Sequence, residues 1–206
     1  MAQVYSVNVV GYVNVTVPVN GWAILANPLN NGANAFSDVL KLPTDGSADF
    51  VTVYRYDGVG QKFLSSATFF GGTWDAADPK ALAALAPGEG FFIQNPTTAA
   101  LTITFVGEVP QGSLSVNVPN GWALMGSQVP QAARVGTMGF PADDFDTIYL
   151  FDSTTQAYAA SYTYFLGAWD AANDHDANGP TIPVGNGFWT QKSNGAKAWA
   201  RSFTVN

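Results

Sequence analysis

The chain is a tandem duplication, and nothing else in it limits the fold as much. Pro18-Val19-Asn20-Gly21-Trp22-Ala23-Ile24-Leu25 recurs as Pro119-Asn120-Gly121-Trp122-Ala123-Leu124-Met125, and Val53-Tyr54-Arg55-Tyr56-Asp57 as Ile148-Tyr149-Leu150-Phe151-Asp152. Phe69-Phe70-Gly71-Gly72-Thr73-Trp74-Asp75-Ala76-Ala77 returns as Tyr164-Phe165-Leu166-Gly167-Ala168-Trp169-Asp170-Ala171-Ala172, and Gly88-Glu89-Gly90-Phe91-Phe92 as Gly185-Asn186-Gly187-Phe188-Trp189. From Val51 to Ala77 the offset is a constant 95 residues without a gap. Self-similarity of this kind marks a repeated structural unit. The organisation expected is an extra N-terminal strand over residues 1–12, a first copy over 13–109 and a second over 110–206.

Each copy reads as strands. Val13, Val15 and Val17 alternate with Asn14 and Thr16, as do Leu101, Ile103 and Phe105 with Thr102 and Thr104, the period of a half-buried strand. Turn signals are dense: Asn20-Gly21, Asp57-Gly58, Gly71-Gly72, Pro87-Gly88, Asn120-Gly121 and Asn194-Gly195. Helix is confined to short stretches. Phe36, Val39 and Leu40 have helical spacing and stop at Pro43, and Asp78-Pro79 has a capping residue with proline at the first helical position. The fold class expected is all-β: two tandem β-sandwich or small-barrel modules with short helical turns. The joining segment, with Glu108, Pro110 and Gly112, is too short for a flexible linker, so rigid, pseudo-twofold packing of the modules is expected.

Composition narrows the function classes. Charged residues are 11% of the chain, less than half the roughly 25% usual for a soluble domain, and the net charge is −7. Apolar residues at 47% exclude intrinsic disorder, and eight scattered cations in an acidic chain do not make a nucleic-acid surface. No apolar run approaches the ~20 residues of a membrane-spanning helix, so no membrane insertion is expected. Absence of Cys excludes disulfides and thiolate chemistry.

The pattern Gly-Trp-x-Leu, then Tyr-x-Tyr/Phe-Asp, then Pro-x-Gly-x-Gly-Phe-Phe/Trp resembles an uncharacterised group of secreted bacterial β-modules that often occur as tandem copies. The resemblance spans nearly the whole chain. It implies an exported protein with a non-enzymatic role and carries no catalytic residues. Met1-Ala2-Gln3 directly before strand residues fits a mature secreted chain, so an extracellular or cell-surface location is expected.

Three sets of residues are candidates for function. Val4, Tyr5, Val7, Val9 and Val10 form an unguarded segment with neither Lys nor Pro before Pro18, the kind that adds to an exposed sheet edge of another subunit. Asp174-x-Asp176-x-Asn178-Gly179 matches the opening of a calcium loop, with Asp170 as a further ligand; position 12 is Gly185 rather than the bidentate Glu. Trp74 and Trp169, each followed by Asp-Ala-Ala, could serve as sugar-stacking platforms, with Trp189 as an additional contact. Trp22 and Trp122 read as core. Enzymatic constellations are thin: His175 is the single histidine, there is no Gly-x-Ser-x-Gly elbow, and Glu89 and Glu108 are the two glutamates. The function expected is that of an exported, non-catalytic structural protein that self-associates into a filament, sheath or surface layer. A polysaccharide-binding module using Trp74 and Trp169 is the alternative.

Overall fold

A computed structural model describes residues 9–205. In copy 1 the strands are β1 (Val10–Val17), β2 (Gly21–Ala26), β3 (Thr52–Tyr54), β4 (Tyr56–Asp57), β5 (Lys62–Phe63), β6 (Ala67–Phe70), β7 (Thr73–Ala76), β8 (Gly90–Asn95) and β9 (Leu101–Glu108). Copy 2 has β10 (Gly112–Val118), β11 (Gly121–Gly126), β12 (Ala133–Arg134), β13 (Thr147–Tyr149), β14 (Phe151–Asp152), β15 (Ala157–Tyr158), β16 (Tyr162–Phe165), β17 (Ala168–Asp170), β18 (Thr181–Ile182), β19 (Gly187–Lys192) and β20 (Lys197–Phe203). The two expected helices shrink to one turn each. They are α1 (Phe36–Val39) and a 3-10 turn over Pro79–Leu82, whose Asp78 carboxylate accepts from Lys80 N at 2.9 Å.

The copies share one topology. A five-stranded antiparallel sheet has the order β2-β8-β3-β6-β7 in copy 1 and β11-β19-β13-β16-β17 in copy 2. A two-stranded ribbon, β1 with β9 or β10 with β20, supplies the second layer. The fold is therefore all-β and sandwich-like. In copy 1 the ribbon turns Val13, Val17, Leu101, Ile103 and Phe105 inward onto Ala23, Leu25, Val53, Phe69, Phe91 and Ile93 of the sheet. The period-two alternation of both ribbon strands produces this layer. Among residues proposed for strand donation, Val4, Tyr5 and Val7 lie outside the described residues. Val10 pairs with Glu108, and the Val9 carbonyl accepts from Val109 N at 2.7 Å.

The modules join through reciprocal contacts that explain the repeated Gly-x-Gly. The Gly185 carbonyl accepts from Ala26 N at 2.9 Å, and the Gly88 carbonyl accepts from Gly126 N at 3.0 Å. A Cβ on Gly90 would stand 2.7 Å from Met125 N, and one on Gly187 would stand 2.7 Å from the Leu25 carbonyl oxygen. Each glycine thus lets one copy's backbone touch the other copy's edge strand. Between the sheets, Ile24, Leu124 and Trp189 form a small shared core with Tyr56, Phe92, Tyr149 and Phe151.

Candidate functional site

Because cross-strand partners point to the same face, the sheet register fixes what each outer face presents. In copy 1 the residues directly opposite one another are Trp22, Gln94, Thr52, Thr68 and Asp75, a row across all five strands. Copy 2 has Trp122, Gln191, Thr147, Thr163 and Asp170 at the same places. The two rows are identical. The paired threonine hydroxyls stand 3.2 Å apart in copy 1 and 3.5 Å apart in copy 2.

Beside each row lies an aromatic cup. Trp22 leans on Tyr54 with ring centroids 5.3 Å apart at 36°, and Trp122 on Tyr149 at 5.3 Å and 32°. Phe63 and Phe92 complete the first cup, a cleft of about 240 Å³. Tyr158 and Trp189 complete the second, of about 390 Å³, with Tyr56 reaching in from copy 1. The second cup is the more polar, because three tyrosines line it against one in the first, and Trp189 Nε1 donates to the Tyr158 hydroxyl at 3.1 Å. Burial pushes that phenol's pKa up, so the hydroxyl stays protonated well above neutral pH.

A reciprocal clasp holds each tryptophan. The β4–β5 hairpin carries Gln61, whose Oε1 accepts from Trp122 N at 2.8 Å while its Nε2 donates to the Trp122 carbonyl at 2.9 Å. On the β14–β15 hairpin, Gln156 does the same to Trp22, at 2.7 and 2.9 Å. Strands β2 and β11 are sheet edges, and each glutamine amide takes the place of a missing neighbouring strand at the tryptophan. Each copy therefore positions the platform of the other.

These placements change the tryptophan assignments. Trp122 is 37% exposed and Trp22 is half-buried, so both belong to the outer face and not to the core, where the sequence reading put them. The turn before each strand sets the register, and that register points these rings away from the inner layer. Trp169, expected as a stacking platform, is 2% exposed and packs against Phe140 and Tyr164, so it offers no face to solvent. Trp74 is half-buried between Phe36 and Phe69, and its Nε1 donates to the Leu40 carbonyl at 2.9 Å. Trp74 lines a cleft of about 670 Å³ with Phe36, Leu40 and Leu82, whereas Trp189 lies at the second outer-face cup and is itself 8% exposed.

The acidic loop of copy 2 engages protein cations. Arg134 pairs with Asp174 at 2.9 Å and with Asp176 at 3.1 Å, and the Tyr162 hydroxyl donates to Asp174 at 3.0 Å. The Arg134 hydrogen bond holds Asp174 below the usual carboxylate range. Asp170 faces His175 and raises its pKa. Asn178 donates through its backbone and side chain to Asp176, at 2.9 and 3.1 Å. Among the described residues, no group of three His, Asp or Glu side chains converges as a metal cluster. Glu89 pairs with Arg55 at 3.3 Å, and burial pushes its carboxyl up against the pull of the guanidinium.

Comparison with protein-family models, curated proteins and solved structures returned no match. Among the described residues, no helix is long and apolar enough to cross a membrane.

The copies themselves supply a comparison. On the outer faces Trp, Gln, both Thr, Asp and Tyr54/Tyr149 are unchanged between copies, while Ile24 and Phe92 become Leu124 and Trp189 at the module interface. On the inner faces Ala23, Phe91, Trp74 and Ala76 are kept, but Leu25 becomes Met125, Ile93 Thr190, Val53 Ile148, Ala67 Tyr162 and Phe69 Tyr164. A requirement for folding alone tolerates volume-adjusting exchange in a core and leaves exposed positions free. Here the five-residue row across the outer face is kept without exception.

Proposed function

We propose that the protein is an exported, non-catalytic glycan-binding protein with one binding face on each copy. The observation that carries this reading is the identical row from Trp22 to Asp75 and from Trp122 to Asp170, each beside a stacked Trp–Tyr pair. A sugar ring has a flat C–H face and a rim of hydroxyls. Half-exposed aromatic rings suit the first, and amide, hydroxyl and carboxylate groups suit the second. Two faces on one rigid chain give avidity for a polymer whose repeats reach both. The likeness to secreted modules and the charge-poor composition support export.

The test is binding of the full chain to a panel of insoluble and soluble polysaccharides, with a Trp22→Ala/Trp122→Ala variant as control. The parent is expected to bind at least one neutral polysaccharide, and the variant about tenfold or more weakly. A variant that binds as the parent does would sink the proposal.

Self-association is a second reading, favoured by the ribbon's outer side. There Tyr12 and Val106 stand directly opposite each other, both exposed, next to exposed Val10. Removing residues 1–11 is expected to abolish any filaments seen by negative-stain microscopy; unchanged filaments would refute the donor-strand role.

A further inference from the structure

The outer faces hold a second aromatic pair that neither the core nor the module interface uses. Phe50 and Phe70 stack at 5.1 Å and 38°, and Phe145 and Phe165 at 5.3 Å and 41°. All four rings are exposed, Phe50 at 61% and Phe145 at 62%. Phe70 follows Thr68 by two residues, so it stands on the same face as the polar row.

Phe50 and Phe145 also have left-handed backbones, with φ of +67° and +73°. The cause is a β-bulge. Phe50 N donates to the Phe69 carbonyl at 2.7 Å, and Phe69 N donates to the Val51 carbonyl at 2.8 Å, so two residues oppose one. Copy 2 repeats this with Phe145, Asp146 and Tyr164, both bonds at 2.8 Å. Glycine is the usual occupant of the left-handed bulge position, because a side chain there strains the backbone. The adjacent Asp49 accepts from Gly71 N at 3.1 Å, and Asp144 from Leu166 N at 2.9 Å, which fixes the neighbouring turn. A bulky apolar residue thus stands twice where it strains the backbone and stays mostly exposed. Backbone strain kept at an exposed aromatic points to work done by the ring.

We infer that each Phe pair is a second stacking platform, and that the ligand is a linear, neutral, β-linked hexopyranose chain lying across the Thr52–Thr68 or Thr147–Thr163 pair between the two platforms. This rests on the glycan reading above. Phe50, in the bulge just ahead of β3, and Tyr54, at the end of β3, are four residues apart, a span of at most about 13 Å, which calls for several sugar rings in an extended chain. Equatorial hydroxyls of such a chain point sideways toward Gln94 and the threonines while its flat faces meet the rings. The one charged group in each row is Asp75 or Asp170, which disfavours an acidic polysaccharide.

The experiment is calorimetric titration of the full chain with cellobiose and cellohexaose, comparing the parent, Phe50→Gly/Phe145→Gly and Trp22→Ala/Trp122→Ala. Phe50→Gly/Phe145→Gly is expected to weaken cellohexaose binding about tenfold and leave cellobiose binding unchanged. Its melting temperature should rise by a few degrees, about 2–4 °C, because glycine relieves the left-handed strain. Loss of affinity together with gain of stability is a pairing that a purely structural Phe would not give. If that variant binds cellohexaose as the parent does while the Trp variant is weakened, the second platform is refuted and the glycan reading stands. If neither sugar binds the parent, the proposed ligand is refuted, and the polysaccharide panel decides separately whether the glycan reading stands. If the Trp variant binds as well as the parent, the glycan reading fails and takes the second platform with it.

Discussion

Position for position, Lys192 and Asp146 of copy 2 replace Asn95 and Val51 of copy 1, while Arg55 and Glu89 of copy 1 give way to Leu150 and Asn186. Copy 1 thus holds Arg55–Glu89, and copy 2 holds Lys192 between Asp146 and, at 3.3 Å, Asp143; at each place the other copy has lost both signs of charge together. Asn95 in copy 1 uses its amide to hold the Pro18 and Ala99 carbonyls, at 3.0 and 2.8 Å. In copy 2 the Lys192 ammonium, with no exposure, reaches the Pro141 carbonyl at 2.8 Å and the buried Asp146 carboxylate. Paired loss is what the energetics of buried charge demand, since one partner without the other is far worse than neither. Such exchanges show that this scaffold accepts different internal chemistry, which makes the constancy of its outer rows the more informative.

The sharpest way to break the comparison is to separate one pair. Asp146→Ala removes the fully buried counter-charge of Lys192 and leaves Asp143, 3.3 Å from the ammonium, as its remaining carboxylate partner, so it is expected to destabilise copy 2 by about 3 kcal/mol, the lower end for a broken buried pair. Importing the copy 1 residues at both positions, Asp146→Val with Lys192→Asn, should recover most of that loss, with Asp143 keeping Lys197 as its cation. Urea unfolding followed by tryptophan fluorescence reads both. If the single and double variants prove equally unstable, the two sites are not interchangeable and the correspondence between copies is superficial.

A smaller effect is expected where Thr190 stands in place of Ile93. The Thr190 hydroxyl is buried and has no hydrogen-bond partner among the described residues, on a core-facing position of β19. Thr190→Val replaces that hydroxyl by a methyl of like shape and is expected to stabilise the protein by about 1 kcal/mol. A lower urea midpoint in the variant would mean that the hydroxyl is satisfied in solution.

The duplication, the all-β class and the alternation of β1 and β9 were legible in the sequence because each is a local or periodic signal. The first helix was overread: three apolar residues at helical spacing, Phe36, Val39 and Leu40, did not reveal that the chain would bury them with a single turn. The outer rows were invisible for a physical reason. Trp22, Gln94, Thr52, Thr68 and Asp75 come from five strands and become neighbours only through register. Trp22 looked like core because it opens an apolar run, yet Ala23 and Leu25 are the residues that face inward. The one available clue was that Gln94/Gln191, Thr52/Thr147 and Thr68/Thr163 match between copies at positions with no turn role. Phe50/Phe145 carried the same clue, just ahead of a strand and directly after a matched Asp.

The smallest expected effect concerns the acidic loop that copy 1 lacks, since Asp75 there leads into Asp78-Pro79. The hydrogen bond from Arg134 is the main cause holding Asp174 below the carboxylate range, whereas for Asp176 it is the backbone N–H of Asn178. A folded pKa below the unfolded value means that the unfolded chain binds the extra proton. The stabilisation is therefore complete above about pH 4 and fades as pH falls through the folded values. His175 has the opposite sign. Its hydrogen bond to Asp170 raises its pKa, so its contribution is complete below about pH 6.5 and is lost as pH rises through the folded value. Arg134→Met should accordingly lower the urea midpoint at neutral pH, with the difference from the parent shrinking near pH 3. His175→Ala should differ from the parent near pH 5.5 and converge with it toward pH 9. His175 is exposed and the Arg134–Asp174 pair lies half-buried at the surface, so each difference is small and should shrink further in high salt. An Arg134→Met difference that stays constant from neutral to acid pH would show that the guanidinium acts by packing the loop rather than by its charge.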